Sequence, residues 1–281
     1  MKTTVTFFLA AAIMLASCNS SGKKQSDSAE KLPSERIDSE AFQQLLDGAA
    51  AQGAILMLDP QQDIFYSNNF DWCERGFLPA STYKIPNTII ALETGVVESQ
   101  ETLFPWDGQK RNMPVWEQDL SLREAFHYSC VPCYQEIARK IGSKRMNEWL
   151  TKLGYGDMLV STANIDLFWL EGESRITPFQ QLDFLQRFYF KELPISEQTY
   201  GTVKSLAVIE SQDGWTLSGK TGWAIRDGNN TGWFVGYLEK EQQVYFIATC
   251  IQPTEDFNMD MFNIIRRQIS MEAFRVMGLI R

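Results

Sequence analysis

Histidine is nearly absent from this chain of 281 residues, since His127 is the only one. A serine hydroxyl is a poor nucleophile until a base takes its proton, and histidine is the usual base. Only one position of the chain offers that partner. Because histidine is scarce, lysine is the next candidate for the base, and it acts as one where its surroundings keep it uncharged.

An excess of positive charge is also lacking. The chain carries 26 Lys and Arg against 35 Asp and Glu, which gives a formal net charge of −9. No basic stripe accompanies this acid excess, so nucleic acid is excluded as a partner. Hydrophobic residues make up 44% of the chain, which is enough for a substantial core. No internal repeat is present, and we expect one folding unit with two lobes.

The apolar run from Val5 to Ala16 is too short to span a bilayer as a helix and predicts a signal peptide over residues 1–17. It closes on Leu15-Ala16-Ser17-Cys18, which resembles a bacterial lipobox. The resemblance implies cleavage before Cys18 and lipidation of its thiol. The alternative is a plain secretory signal in which Cys18 is lost or free.

The polar residues 18–36 predict a flexible tether, and residues 37–281 the folded domain. Asn19 stands where an aspartate would signal retention in the inner membrane of enteric bacteria. We therefore expect an exported bacterial lipoprotein that faces the periplasm and is anchored through Cys18 in the outer membrane.

Five cysteines are present, and lipidation of the first would leave four with three possible pairings: Cys73, Cys130, Cys133 and Cys250. The C-x-x-C spacing of Cys130 and Cys133 also occurs in thiol oxidoreductases. No thioredoxin-like βαβ pattern surrounds this pair. We predict that both are small buried residues.

Strand patterns at both ends of the chain enclose a mainly helical middle. Alternating or apolar runs predict five strands, at residues 53–58, 63–67, 215–221, 232–239 and 244–251. Amphipathic patterns predict helices at residues 37–50, 121–126, 131–141, 143–153, 178–189 and 259–277. This order predicts an α+β fold, in which an antiparallel sheet built from both termini is flanked by helices, with an inserted helical lobe. A cleft between the lobes is the expected ligand site.

Ser81 and Lys84 are the first pair of residues that suggests chemistry. At the start of a helix they would share one face, with Cβ atoms about 5–6 Å apart. The neighbours of Lys84 are apolar, and burial lowers the pKa of a lysine. The pair is a candidate nucleophile and base, and the alternative is an ordinary helix start with a solvated lysine.

Two further motifs follow. Ser129-Cys130-Val131 precedes a predicted helix, where the serine either relays a proton or caps the helix. Lys220-Thr221-Gly222 lies late in a predicted strand, where alternation places Lys220 and Gly222 on one face. This lysine either holds an anionic substrate or is an exposed lysine of an edge strand.

In this order the three motifs resemble those of the penicillin-recognising serine enzymes, and the valine of the second motif resembles the class D β-lactamases. The resemblance covers nearly all of the mature chain, through residues 81–87, 128–132, 168–172, 220–223 and 232–236. It implies hydrolysis of the β-lactam ring of penicillin-type antibiotics. It also implies no metal and no cofactor, apart from a CO2-derived carbamate on Lys84.

The resemblance implies a role for each matched residue. Ser81 would be the acylated nucleophile and carbamylated Lys84 the general base, with Trp169 donating a hydrogen bond to the carbamate. Val131 would screen the carbamate from water, and Ser129 would pass a proton to the leaving nitrogen. The backbone N–H groups of Ser81 and of the residue after Gly222 would form the oxyanion hole. The substrate would be bound by Lys220, Thr221, Gly222, Trp223 and Arg266, with Arg267 as the alternative to Arg266.

Two departures from the family pattern bear on the substrate range. Asp157 stands where asparagine is usual, and Tyr128 stands where smaller aliphatic residues are common. Three alternatives to hydrolysis fit the sequence less well. A β-lactam sensor is expected to carry membrane spans and a protease domain, and a transpeptidase or carboxypeptidase is expected to have asparagine in place of Val131. A binding module whose motifs have lost their catalytic use is not expected to keep every catalytic residue, as this chain does.

Metabolic labelling with a fatty-acid analogue tests the lipid anchor. We expect the full chain to be labelled in a bacterial host and the Cys18→Ala variant to remain unlabelled. A Cys18→Ala protein that still takes up the label would refute the assignment.

Overall fold

The computed structural model describes residues 35–226 and 228–281. The predicted signal peptide, Cys18 and nearly all of the predicted tether lie outside these residues. The last two tether residues belong to the first strand, β1, which covers Glu35–Asp38. The described residues all belong to one compact unit.

One seven-stranded sheet contains strands from both ends of the chain. Its spatial order is β1-β3-β2-β9-β8-β7-β6. Besides β1, its strands are β2 Ala51–Asp59, β3 Ile64–Ser67, β6 Val208–Gln212, β7 Trp215–Arg226, β8 Asn229–Lys240 and β9 Gln243–Pro253. Neighbouring strands are antiparallel except β1 and β3, which are parallel. The pairing of β2 with β9 joins the two ends, so the predicted α+β fold is confirmed.

Helices and a small ribbon complete the described structure. The ribbon consists of β4 Leu103–Phe104 and β5 Leu120–Ser121. The helices are α1 Glu40–Gly48, α2 Phe70–Cys73, α3 Lys84–Glu93, α4 Leu122–His127, α5 Val131–Ile141, α6 Ser143–Leu153, α7 Pro178–Tyr189, α8 Glu197–Ala207 and α9 Phe262–Val276. In that described part of the chain, no helix combines the length and the apolar character needed to cross a membrane.

Local capping explains why three helices have the predicted bounds. α7 begins with a capping box, in which Thr177 and Gln180 satisfy each other's backbone N–H groups. α5 and α6 are separated by Gly142, whose φ of +78° ends one helix before the next begins. The predicted helix over 37–50 starts too early, because α1 is capped by Ser39 and the residues before it pair with β3.

The sheet is buried on both faces. Along β2, Leu56 and Leu58 join the core beneath the helical lobe. Ile55 and Met57 join a second core, which α1 and α9 cover. This alternation follows from the two-residue period of a strand. The same period in β7 directs Lys220 and Gly222 towards the helical lobe.

Candidate active site

Ser81 and Lys84 meet at the junction of two helical segments. A 3₁₀ helix covers Ala80–Tyr83, and α3 begins at Lys84. A 3₁₀ helix has three residues per turn, so residues i and i+3 lie directly above one another. The Lys84 Nζ lies 3.0 Å from the Ser81 Oγ. The predicted nucleophile and base are therefore in hydrogen-bond contact.

The amine of Lys84 is fully buried. Burial, followed by the positive charge of Lys220, holds the pKa of Lys84 well below its usual value. The ring of Tyr134 lies beside the amine, with its centroid 5.0 Å from Nζ. In the described residues no carboxylate forms an ion pair with Lys84. These surroundings favour the uncharged amine, which has a free lone pair.

The backbone just before Ser81 is strained and is held by two tryptophans. Ala80 has a φ of +49°, a left-handed conformation that costs a residue with a Cβ about 1–3 kcal/mol. Its N–H donates to the carbonyl of Trp169 at 2.9 Å. The indole N–H of Trp233 donates to the carbonyl of Leu78 at 2.9 Å. The backbone next to Ser81, the predicted nucleophile, is therefore held by contacts distant in sequence.

A buried polar network supports the same turn from the helical lobe. The Gln181 amide donates to the Thr82 Oγ1 at 2.9 Å, and the Tyr155 hydroxyl donates to the Gln181 Oε1 at 3.2 Å. Thr82 in turn donates to the Pro79 carbonyl at 2.7 Å. Sequence reasoning missed Gln181, which is 99 positions from Thr82 and has no motif of its own.

Trp169 has an indole N–H without a partner. The side chain is fully buried, and its ring stacks on that of Tyr83 with centroids 5.5 Å apart. Its Nε1 has no hydrogen-bond acceptor among residues 35–226 and 228–281. Leaving a buried donor unsatisfied costs about 1–3 kcal/mol. The Trp169 indole N–H is therefore a free hydrogen-bond donor beside Tyr83, the residue that precedes Lys84.

Ser129 lies in the turn between α4 and α5 with a φ of +53°, again in the left-handed region. Its Oγ accepts a short hydrogen bond from the Nζ of Lys220. Burial, together with the nearby charge of Arg266, lowers the pKa of Lys220 to about 7. The second and third motifs are therefore in contact, and half-buried Val131 follows as the first residue of α5.

Strand β7 has a free edge near Ser81. β6 pairs only with Trp215–Ser218, so the described residues after Ser218 are paired with β8 alone. A Cβ placed on Gly222 would lie 3.0 Å from the Pro79 carbonyl oxygen and 3.1 Å from the Thr82 Cγ2. This close packing brings the strand next to the turn that holds Ser81. Thr221 is half-buried, and the side chain of Trp223 is 37% exposed.

Of the two arginines considered in the sequence, Arg266 contacts the strand. It is buried, its Nη1 donates to the Gly222 carbonyl, and its guanidinium lies 5.7 Å from the Trp223 ring centroid. Burial lowers its pKa to about 10, so it stays charged at neutral pH. Arg267 is exposed and lines a cavity of about 180 Å³ beside Lys220.

The two departures leave this site intact. Asp157 exchanges backbone hydrogen bonds with Arg175, at 2.8 and 2.9 Å, and its own side chain is exposed. Tyr128 is 39% exposed, and its carbonyl accepts from the Trp116 indole at 3.0 Å. Neither side chain is among the groups that contact Ser81 or Lys84.

The structure settles one pairing that the sequence left open. Cys130 and Cys133 are buried as predicted, and they form a disulfide with each other. Their Cα atoms are 5.5 Å apart across the first turn of α5, which suits a disulfide. Cys73 and Cys250 are free and buried. Within residues 35–226 and 228–281, no group of His, Cys, Asp or Glu side chains is arranged to hold a metal ion.

Comparison with known proteins places this site in a family. The model of the penicillin binding protein transpeptidase domain matches residues 48–269. β-Lactamase OXA-48 of Klebsiella pneumoniae is 38% identical over 75% of this chain and 76% of its own length. β-Lactamase OXA-10 of Pseudomonas aeruginosa is 40% identical over 76% of this chain and 78% of its own. The crystal structure of the class D β-lactamase YbXI from Nostoc is similar to this one with a TM-score of 0.82 and 41% sequence identity. The match covers 85% of this chain and 99% of the Nostoc chain.

The chain belongs to the penicillin-binding transpeptidase domain family. Within that family it is a class D serine β-lactamase, a hydrolase that acts on β-lactams. The resemblance inferred from the three motifs is thereby confirmed.

The Gly222→Ala substitution tests whether close approach of β7 to the nucleophile is needed. The added methyl would press on the Pro79 carbonyl and move the strand away from Ser81. Because losing one aligned oxyanion donor costs about 10²–10³ in kcat, we expect kcat/KM for nitrocefin to fall at least about tenfold. The matched control is Gly201→Ala in α8, where nothing lies within 4 Å of the added methyl. Wild-type turnover by Gly222→Ala would show that the approach is dispensable.

Proposed function

We propose that this β-lactamase opens the ring of penicillin-type antibiotics through an acyl-enzyme on Ser81, with Lys84 working as a carbamate. The observation that carries the proposal is the buried amine 3.0 Å from the Ser81 hydroxyl, which has no carboxylate partner in the described residues. Only an uncharged amine adds CO2. The depressed pKa of Lys84 therefore supports carbamylation.

The surroundings of Lys84 fit a carbamate. The unpartnered indole N–H of Trp169 offers a donor to an oxygen acceptor. The half-buried side chain of Val131 would limit the access of water. When bound, the carbamate supplies an oxygen base for both the acylation and the deacylation of Ser81.

Ser81 and the residues around it perform the other steps of the reaction. The Ser81 Oγ attacks the β-lactam carbonyl, and the backbone N–H groups of Ser81 and Trp223 stabilise the oxyanion. Ser129 donates its proton to the leaving nitrogen as the C–N bond breaks, and its contact with Lys220 orients the hydroxyl. Charged Arg266 attracts the substrate carboxylate, and Lys220 donates a hydrogen bond to it, with Thr221 and Gly222 lining its position on β7.

We also propose that the enzyme works as an exported lipoprotein held at the bacterial membrane through Cys18. Support comes from the short apolar run and the lipobox-like residues that follow it. A periplasm-facing outer-membrane anchor would place the enzyme where β-lactams enter the cell.

The Lys84→Met variant tests the base. It keeps an unbranched, buried side chain but removes the amine, so we expect nitrocefin turnover to fall about 10²–10⁴-fold, the usual contribution of a positioned base. Because the pKa of Lys84 is lower in the folded than in the unfolded chain, the unfolded chain binds more protons at neutral pH. The variant should therefore be at least as stable as the wild type at pH 7, with the difference shrinking as the pH rises towards 10.5. Unaltered turnover would exclude Lys84 as the base.

The Trp169→Phe variant tests the carbamate contact. It keeps an aromatic ring against Tyr83 but removes the free N–H. We expect activity that depends strongly on added bicarbonate, whereas the wild type should need bicarbonate only after dialysis at acidic pH. Full activity of Trp169→Phe without bicarbonate would contradict the indole contact.

A further inference from the structure

The Cys130–Cys133 disulfide is surrounded by residues of the active site. Ser129 directly precedes Cys130, and Val131 directly follows it. Cys133 is followed by Tyr134, whose ring lies beside the Lys84 amine and whose hydroxyl is 2.7 Å from the Thr88 Oγ1. The bond therefore closes the helical turn that directly follows the proposed proton donor.

The backbone at Ser129 needs such support. Its φ of +53° is unfavourable for a residue with a Cβ and persists only where the surroundings impose it. The hydrogen bond from its own N–H, to the Phe126 carbonyl, is 3.2 Å long. The next N–H, that of Cys130, donates to the Ala125 carbonyl at 2.8 Å. The strained residue is therefore held mainly through Cys130.

The helix that follows has a weak N-cap. Cys130 occupies the N-cap position of α5, and its sulfur accepts from the Cys133 N–H at 3.2 Å. Sulfur is a weak acceptor, and the residues preferred at this position are Ser, Thr, Asp and Asn. Pro132 has no N–H to offer. A covalent bond from the N-cap to the third helical residue supplies the constraint that a capping oxygen normally gives.

We propose that the Cys130–Cys133 disulfide is a positioning element that holds Ser129 in its strained conformation against Lys220, so that its loss slows acylation. The inference rests on the proposed role of Ser129 as proton donor. The disulfide acts through Ser129 and does not itself contact the reacting atoms. Both cysteines line a cavity of about 310 Å³.

Reduction of the purified enzyme tests the proposal. Dithiothreitol supplies the two electrons and two protons that convert the disulfide into two thiols, and it is itself oxidised. Thiol titration should show a gain of two thiols per chain. Stopped-flow measurement with nitrocefin should then show acylation slowed about tenfold, which is part of the roughly 10²–10⁴ that a positioned proton donor contributes. Deacylation of enzyme acylated before reduction should keep its rate within about twofold, because Ser129 serves the leaving nitrogen in the first step.

Two sets of variants complete the test. Cys130→Ala/Cys133→Ala should show the slow acylation without reductant and no further response to it. Cys73→Ala, which removes a free buried thiol away from the turn, should respond to reductant like the wild type. Circular dichroism measures the folded fraction of every sample. If the double variant fails to fold, the reduced wild-type protein still tests the proposal.

Two results would overturn the proposal. The first is unchanged acylation after complete reduction, and the second is a loss of acylation that only parallels loss of folded protein. Ser129→Ala separates this failure from a failure of the proposed function. If Ser129→Ala acylates at the wild-type rate, the role of Ser129 is wrong. If Ser129→Ala is slow while the reduced enzyme is fast, only the role of the disulfide is wrong.

Discussion

The proposed chemistry of this enzyme depends on the Lys84 amine, which is buried without a negative partner in the described structure. An ordinary buried lysine is paired with a carboxylate, which keeps it charged and useless as a base. Lys84 instead faces a serine hydroxyl and an aromatic ring, and the nearest charge that affects it is positive. Desolvating this amine costs free energy, but it leaves the amine uncharged. The uncharged amine can take up a proton or CO2.

The rest of the site holds strained backbone in place around that amine. Ala80 and Ser129 both have left-handed conformations without being glycine, and each lies next to or at a group that reacts. Ala80 is held by the Trp169 carbonyl, whereas Ser129 is followed directly by a disulfide. Strain of this kind is found where a fold positions reactive groups, because only dense surrounding contacts can maintain it.

Much of this arrangement followed from the sequence, because motifs and helix caps are local signals. The spacing of Ser81 and Lys84 predicted their contact, which occurs. The three motifs also singled out Ser129 and Lys220, but their contact with each other emerged only from the structure. The short strand β6 was not predicted, because its residues are mostly exposed and carry little alternation. The support of Thr82 by Gln181 was not predictable either, since it arises only when α7 packs against the 3₁₀ turn. The pairing of Cys130 with Cys133 was one of three that the sequence left open, because cysteine spacing alone does not fix a disulfide pairing.

The most direct test of the account is carbon-13 NMR of the enzyme under labelled CO2. The buried, uncharged Lys84 amine predicts a carbamate resonance in the wild-type protein that is lost when the amine is removed by Lys84→Met and weakened when the Trp169 N–H is removed. Rapid nitrocefin hydrolysis by an enzyme that shows no such resonance would contradict the account.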